Sequence, residues 1–325
     1  MKKPVLTTLV VLCITLLAMS QETKEAFRPH GKPIIRVFSN FHSTFVDGES
    51  NSAFEVTRVY LGYEHSFSEN FSGTVIFDVA DPAVGKLQMT AFVKNAFLNY
   101  KYENLSVDFG MIPTTQFKVQ ENFWGYRYLA KVFQDEYGFA SSADLGASVA
   151  YNFNDFLSAD VAVTNGEGYK KLQSDNIFKT AFGLTVKPVK ELTVRGMADL
   201  MDNQSTYAGF FGYKGGRFSL AAEYNYQKNH SMTDGHDFFG PSFYGTINLS
   251  KKTKFFARFD DLQSNTPSGE TENWNLASDG KLYTAGFEFA PVSGIKLSPN
   301  YRGWSPSQSA QPYMSTLMLN CEIKF

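Results

Sequence analysis

The side chains able to do acid, base or nucleophilic chemistry are few in this chain, and their spacing says more than their number. Among its five histidines, His42-Ser43 and His65-Ser66 are adjacent pairs within alternating stretches. Neighbours on an extended strand project to opposite faces, so neither pair can act as a nucleophile with its base. His230 and His236 flank Asp234 and Asp237, which are ligand types suited to a weak divalent-cation site. Placed among Asn, Ser, Thr and Gly, they read more simply as a solvated loop. No serine-hydrolase elbow or zinc-helix motif occurs, and Asp108 and Asp144 are the kind of neighbouring carboxylates that a polar wall supplies by default. No catalytic, cofactor-binding or metal residue is assigned.

What remains is electrostatics. Residues 118–137 break the otherwise alternating pattern, and Phe123, Tyr126, Ala130, Phe133 and Tyr137 recur at spacings of three and four. This predicts one amphipathic helix, with Arg127, Lys131, Gln134 and Asp135 off the aromatic stripe. Four charges, Arg127, Lys131, Asp135 and Glu136, would then stand where a fixed field can act on passing ions. A connection as long as 113–143 usually serves function. Two placements are open for it: folded into a barrel with its charges at the narrowest point, or packed as a cap above the rim.

The elements that would carry this loop are strands. The last dozen residues alternate strictly, with Ser315, Leu317, Leu319, Cys321, Ile323 and Phe325 on one face and Thr316, Asn320, Glu322 and Lys324 on the other. The same unit recurs upstream, from Ile35, Val37, Phe41 and Phe45 through Val59-Leu61-Tyr63 to Ile295-Leu297-Tyr301. Short turns near Glu103-Asn104, Asn154-Asp155 and Gly215-Gly216 alternate with longer polar loops. The fold expected is all-β: a transmembrane antiparallel β-barrel of about 16 strands (14–18), an even number with both termini on the short-turn side. Lipid cannot satisfy a free sheet edge, so the strands must close, and a barrel of that size leaves a water-filled interior. Irregular stretches near Val93-Lys94, Tyr207 to Gly209 and Gly240-Pro241 interrupt the alternation of three strands.

The inward set is mixed. Arg36, Arg58, Lys101, Lys179, Arg195, Lys254, Arg258, Lys296 and Arg302 oppose Glu64, Asp78, Asp108, Asp144, Asp160, Asp199, Glu223, Asp260, Glu288 and Glu322. Of these, Arg36, Arg58, Asp108, Asp144, Arg195, Arg258 and Arg302 are expected to form the lumen wall facing the loop. On the lipid side Leu319→Arg is expected to be costly, whereas Asn320→Arg on the lumen side should be tolerated.

Composition fits this picture. Aromatic residues make up 16% of the chain although mean hydropathy is negative, which suits aromatic girdles around a polar interior. Lys2-Lys3, an apolar run from Val5 to Ala18 and the small residues Ala18-Met19-Ser20 read as a secretory signal at residues 1–20, leaving 21–325 as one barrel domain. Cys13 would leave with it and Cys321 would remain alone, so disulfides play no part. Losing Lys2 and Lys3 changes 30 basic against 32 acidic residues to 28 against 32. That slight acidity gives nucleic-acid binding no support.

Phe54-Glu55-Val56-Thr57-Arg58-Val59-Tyr60-Leu61-Gly62, Ala96-Phe97-Leu98-Asn99-Tyr100 and Val107-Asp108-Phe109-Gly110-Met111-Ile112-Pro113 resemble the early strands of the phosphate-selective porin family and its relatives in the Bacteroidetes. Trp124-Gly125-Tyr126-Arg127 with Ser142-Ala143-Asp144-Leu145-Gly146 is similar to the relatives rather than to the founding members, and the likeness spans roughly residues 50–155. It implies a passive outer-membrane channel for small hydrophilic solutes or ions. Founding members carry an N-terminal coiled-coil extension and a ladder of inward basic residues; this chain departs from both, so phosphate selectivity is not carried over. Phe325 resembles the C-terminal aromatic that the barrel-assembly machinery reads. Outer-membrane lipids are the expected surroundings and a homo-oligomer is left open. A non-conducting barrel for adhesion or envelope structure is the alternative, and a plugged transporter is disfavoured because no plug-sized segment precedes the first strand.

Overall fold

The computed structural model describes residues 27–81 and 89–325; the proposed signal lies outside them. Sixteen strands run in chain order: β1 (His30–Val46), β2 (Glu49–Ser66), β3 (Phe71–Ala80), β4 (Thr90–Tyr102), β5 (Leu105–Pro113), β6 (Ala143–Asn152), β7 (Leu157–Thr164) and β8 (Lys179–Val186), then β9 (Leu192–Met201), β10 (Gln204–Gly215), β11 (Phe218–Lys228), β12 (Phe238–Asn248), β13 (Thr253–Ser264), β14 (Gly280–Phe289), β15 (Ile295–Pro306) and β16 (Met314–Lys324). Each pairs antiparallel with its sequence neighbour. β1 closes the ring on β16, from Arg36 opposite Lys324 to Val46 opposite Met314.

The period-2 pattern decides which face meets lipid. On β16, Leu317 and Leu319 are 56% and 49% exposed, whereas Thr316 and Asn320 on either side of them are 9% and 3% exposed. Val194 and Leu200 of β9, Phe211 of β10 and Phe287 of β14 are likewise exposed on the outside. A closed sheet that is apolar outside and polar within is what a strand-built membrane span requires.

Two expectations about connections need correcting. Long and short connections do not alternate strictly: on the long-loop side β1 and β2 are joined through Asp47-Gly48 alone, both at positive φ (50° and 82°), and β9 and β10 through Asp202-Asn203, with Asp202 at 50°. Asp and Gly tolerate that left-handed geometry, which lets a two-residue hairpin match strand twist. The stretch 118–137 is also not one helix. It forms α1 (Lys118–Trp124) and α2 (Phe133–Glu136), because Gly125 adopts φ 71° and its N–H bonds Glu121 O, ending α1 in a left-handed cap.

Two of the three irregular stretches have physical reasons, while Tyr207 to Gly209 pairs in unbroken register with β9 and β11. Between Ile76 and Phe77 of β3 the partner jumps from Asn95 to Val93, leaving Lys94 as the extra residue of a β-bulge. Gly240 of β12 is a close approach: a Cβ there would overlap the Asp261 carbonyl and come within 2.8 Å of the Phe133 ring. Gly212 of β10 similarly makes room for Phe123.

The apolar core lies inside the barrel. Phe117, Trp124, Tyr126, Tyr128, Ala130 and Val132 from the β5–β6 connection pack on Phe38, Tyr60, Phe210, Ala221, Tyr244 and Phe256 of the wall. A second cluster joins Phe133 and Phe139 to Phe238 and Leu262.

Candidate pore constriction

Because β5 ends at Pro113 and β6 starts at Ala143 on an adjacent strand, the 29 intervening residues must leave and return at nearly one point. They fold inward, the first of the two placements the sequence left open. Polar bonds hold them across the lumen: Tyr128 Oη donates to Glu288 at 3.1 Å, Gln134 Nε2 to Asn225 at 2.8 Å and Tyr137 Oη to Asp260 at 3.1 Å. From the wall, Arg258 donates to Lys131 O, and Gln116 bonds Asp199. With the aromatic core above, these contacts hold the loop against strands from β9 round to β14 and on to β1 and β2.

The four charged loop residues separate into two groups. Arg127 and Lys131 share one carboxylate, Asp135, at 3.7 and 3.6 Å, and all three line a cavity of about 600 Å³ towards the long-loop end. Glu136 turns to the wall instead, meeting Arg302 at 2.6 Å and accepting from Lys131 N. It is a loop anchor and does not border that cavity.

The wall residues also divide. Arg36 and Arg58 line water-accessible cavities. Arg258, expected to face the pore, lies buried beneath the loop: it is bidentate to Asp260 at 2.9 and 2.7 Å, and its guanidinium sits 5.2 Å from the centre of the Trp124 ring. A desolvated Arg needs such paired acceptors. Arg195 is equally buried, bound to Asp160 at 2.6 and 2.9 Å and to Thr115 O. Asp144 accepts from the backbone N–H of Leu145 and Gly166, and Asp108 from Asn99. Arg302 is taken up by Glu136. Arg195, Arg258 and Asp144 are buried structural partners near the foot of the loop, whereas Arg302 and Asp108 are paired but only half-buried. Asn320 is covered too, accepting from Asn300 and donating to Tyr128 O, so the expectation that it tolerates arginine is withdrawn.

A second cavity, of about 700 Å³, opens at the short-turn end among Lys32, Ile34, Arg36, Tyr60, Ile76, Lys94, Glu121 and Arg127. Arg127 borders both cavities, so it stands between the two ends of the lumen. Around it Arg58 donates to the Tyr60 hydroxyl at 3.1 Å and Lys94 at 3.5 Å. Asp78 receives Tyr169 Oη at 2.9 Å and lies 3.4 Å from Arg58 Nε. Lys94, Tyr60 and Tyr169 are site residues the sequence reading missed. The bulge that turns Lys94 inward showed only as a broken alternation.

Among the described residues no three histidine, cysteine or carboxylate side chains gather as a metal site would require. His230 Nδ1 pairs with Gln227 Oε1 at 2.5 Å, Asp234 accepts from Asn203, and Asp237 from Tyr226. Both imidazoles instead stack on Trp274, with ring centres 5.5 and 4.7 Å away. Burial, with His236 beside it, holds the His230 imidazole below its ordinary pKa.

The closed sixteen-strand barrel is similar in fold to outer-membrane porins of known structure. Salmonella typhi OmpF, solved with daunomycin, superposes with a TM-score of 0.67 at 15% identity, covering 90% of this chain and 97% of that one. Pseudomonas putida OprB gives 0.66 at 10%, covering 91% and 94%, and the anion-selective porin from Comamonas acidovorans 0.64 at 11%, covering 92% and 100%. No family model matches the chain, and no curated protein matches it in sequence.

Proposed function

We propose that this protein is an outer-membrane porin through which small hydrophilic solutes and ions diffuse passively, with a preference for anions. The observation that carries the reading is Arg127 bordering both cavities, so that the same side chain is reached from both ends of the lumen. The ionic preference follows from the lining. Arg58, Arg127, Lys131, Lys170, Lys171 and Lys179 face the outer cavity against Asp135 and Glu167, and low-dielectric walls focus such a field. Residues 1–20 act in this reading as a cleaved export signal, with 21–325 as the barrel domain. The C-terminal strand engages the assembly machinery, and the barrel assembles as a homo-oligomer in outer-membrane lipid. A relation to the phosphate-selective porin family and its Bacteroidetes relatives is part of the same proposal, resting on the early-strand motifs.

One observation favours the rival, a non-conducting barrel for adhesion or envelope structure. The loop covers much of the β10–β15 wall, where Thr206, Asn225, Gln227, Asp260 and Ser298 are inaccessible. Planar-bilayer recording separates the two. Stepwise conductance with a reversal potential on the anion side supports the porin; folded, heat-modifiable protein that inserts without conductance supports the rival.

A further inference from the structure

The cavity at the short-turn end differs from the outer one in a way that bears on what it holds. Its cations outnumber their partners. Lys32 is met by Glu64 at 3.1 Å, but among the described residues Arg36 and Lys94 enter no ion pair, and Arg36 Nε is buried without a hydrogen-bond partner. Arg127 shares Asp135 with Lys131. Lys324 also reaches the lining, and against these four Glu121 is the remaining acidic side chain there.

The same cavity is also greasy. Ile34 and Ile76 reach it from β1 and β3 beside the Tyr60 ring, and Ile76 packs against the aromatic core of the loop. Bare inorganic anions gain nothing from such a floor, and water gains little. A ligand joining one carboxylate to a small apolar body would use both, its charge drawn to Arg36 and Lys94 and its body laid on Ile34, Ile76 and Tyr60.

We propose that the vestibule at the short-turn end is a binding subsite for organic monocarboxylates with a compact apolar body; as a step in permeation this rests on the porin reading, as binding it does not. Burying about 60 Å² of ring favours benzoate over acetate by about ten-fold, since both carry one carboxylate.

The test uses the full mature protein with benzoate, acetate and inorganic phosphate as probes. In bilayers each is added from the short-turn side against chloride current. In detergent, line broadening of each probe reports binding whether or not the barrel conducts. Half-block by benzoate at about one tenth of the acetate and phosphate concentrations is expected. Ile76→Thr, and independently Ile34→Thr in case the first disturbs the core, should abolish the benzoate advantage while leaving acetate unchanged. Lys94→Gln should weaken both. Conductance with equal block by all three probes overturns the subsite and leaves the porin standing, and tighter phosphate means bare charge alone is read. Benzoate binding without any conductance overturns the porin reading and keeps the subsite.

Discussion

Neutralising Arg127 and Lys131 together, as Arg127→Gln with Lys131→Gln, isolates the field at the constriction from the fold. The anchors of the loop are spared, because Arg258 binds the Lys131 backbone carbonyl and the remaining cross-lumen bonds are made by Thr115, Gln116, Tyr128, Gln134, Glu136 and Tyr137. The outer cavity keeps Arg58, Lys170, Lys171 and Lys179, while Asp135 loses both cationic partners and adds an uncompensated negative charge. A unit charge about 6 Å from the ion path is worth about 0.7 kcal/mol even at the dielectric of water. Acting with opposite sign on anion and cation, removal of one such charge changes their permeability ratio by about ten-fold before screening. Screening over about 8–10 Å leaves that charge largely effective but hides charges on outer loops. The assay is the zero-current potential in a salt gradient, with Glu270→Gln and Glu272→Gln as outer-loop controls. A double variant that inserts and conducts with the parent's reversal potential would refute the placement of Arg127 at the constriction.

Replacing residues 118–137 with a Gly/Ser linker should raise single-channel conductance, because the loop lies inside the lumen; an unchanged conductance in a folded barrel would move the constriction elsewhere. Gly240→Leu should dislodge α2 and cost about 1–3 kcal/mol by overpacking, read as a lower midpoint in urea-unfolding gel shifts. Leu319→Arg on the lipid face should cost about 2–4 kcal/mol; Asn320→Ala, which loses its bonds to Asn300 and Tyr128 O, should cost about 1 kcal/mol, both read by the same gels. Since the folded-state pKa of His230 is depressed, its contribution is present above an unfolded value of about 6.5 and is lost as pH falls through the folded value. Trp274 fluorescence should therefore change as the medium is acidified below about pH 6.5, and His230→Asn should flatten that change.

The barrel itself was legible in the sequence because its determinants are local. A period of two puts Leu317 and Leu319 in lipid and Thr316 and Asn320 inside whatever the rest of the chain does, and lipid then forces closure. The aromatic stripe of residues 118–137 announced that something would pack there. What it packs on was not announced as a pattern, although doublets such as Phe210-Phe211, Phe243-Tyr244 and Phe255-Phe256 carry the signal: adjacent residues on a strand face opposite ways, so one ring meets lipid and its neighbour seats the loop. Only the tertiary structure decided which inward charges meet water. Arg258 and Arg302 share the inward alternation of Arg58, yet the loop covers Arg258 on β13 and pairs with Arg302 on β15 through Glu136, whereas Arg58 on β2 pairs with Asp78 of the wall and borders the outer cavity. Lys94 reached the lumen through a bulge set by pairing with β3. The loop contacts join residues more than a hundred positions apart and the bulge depends on cross-strand register, neither of which a local period encodes.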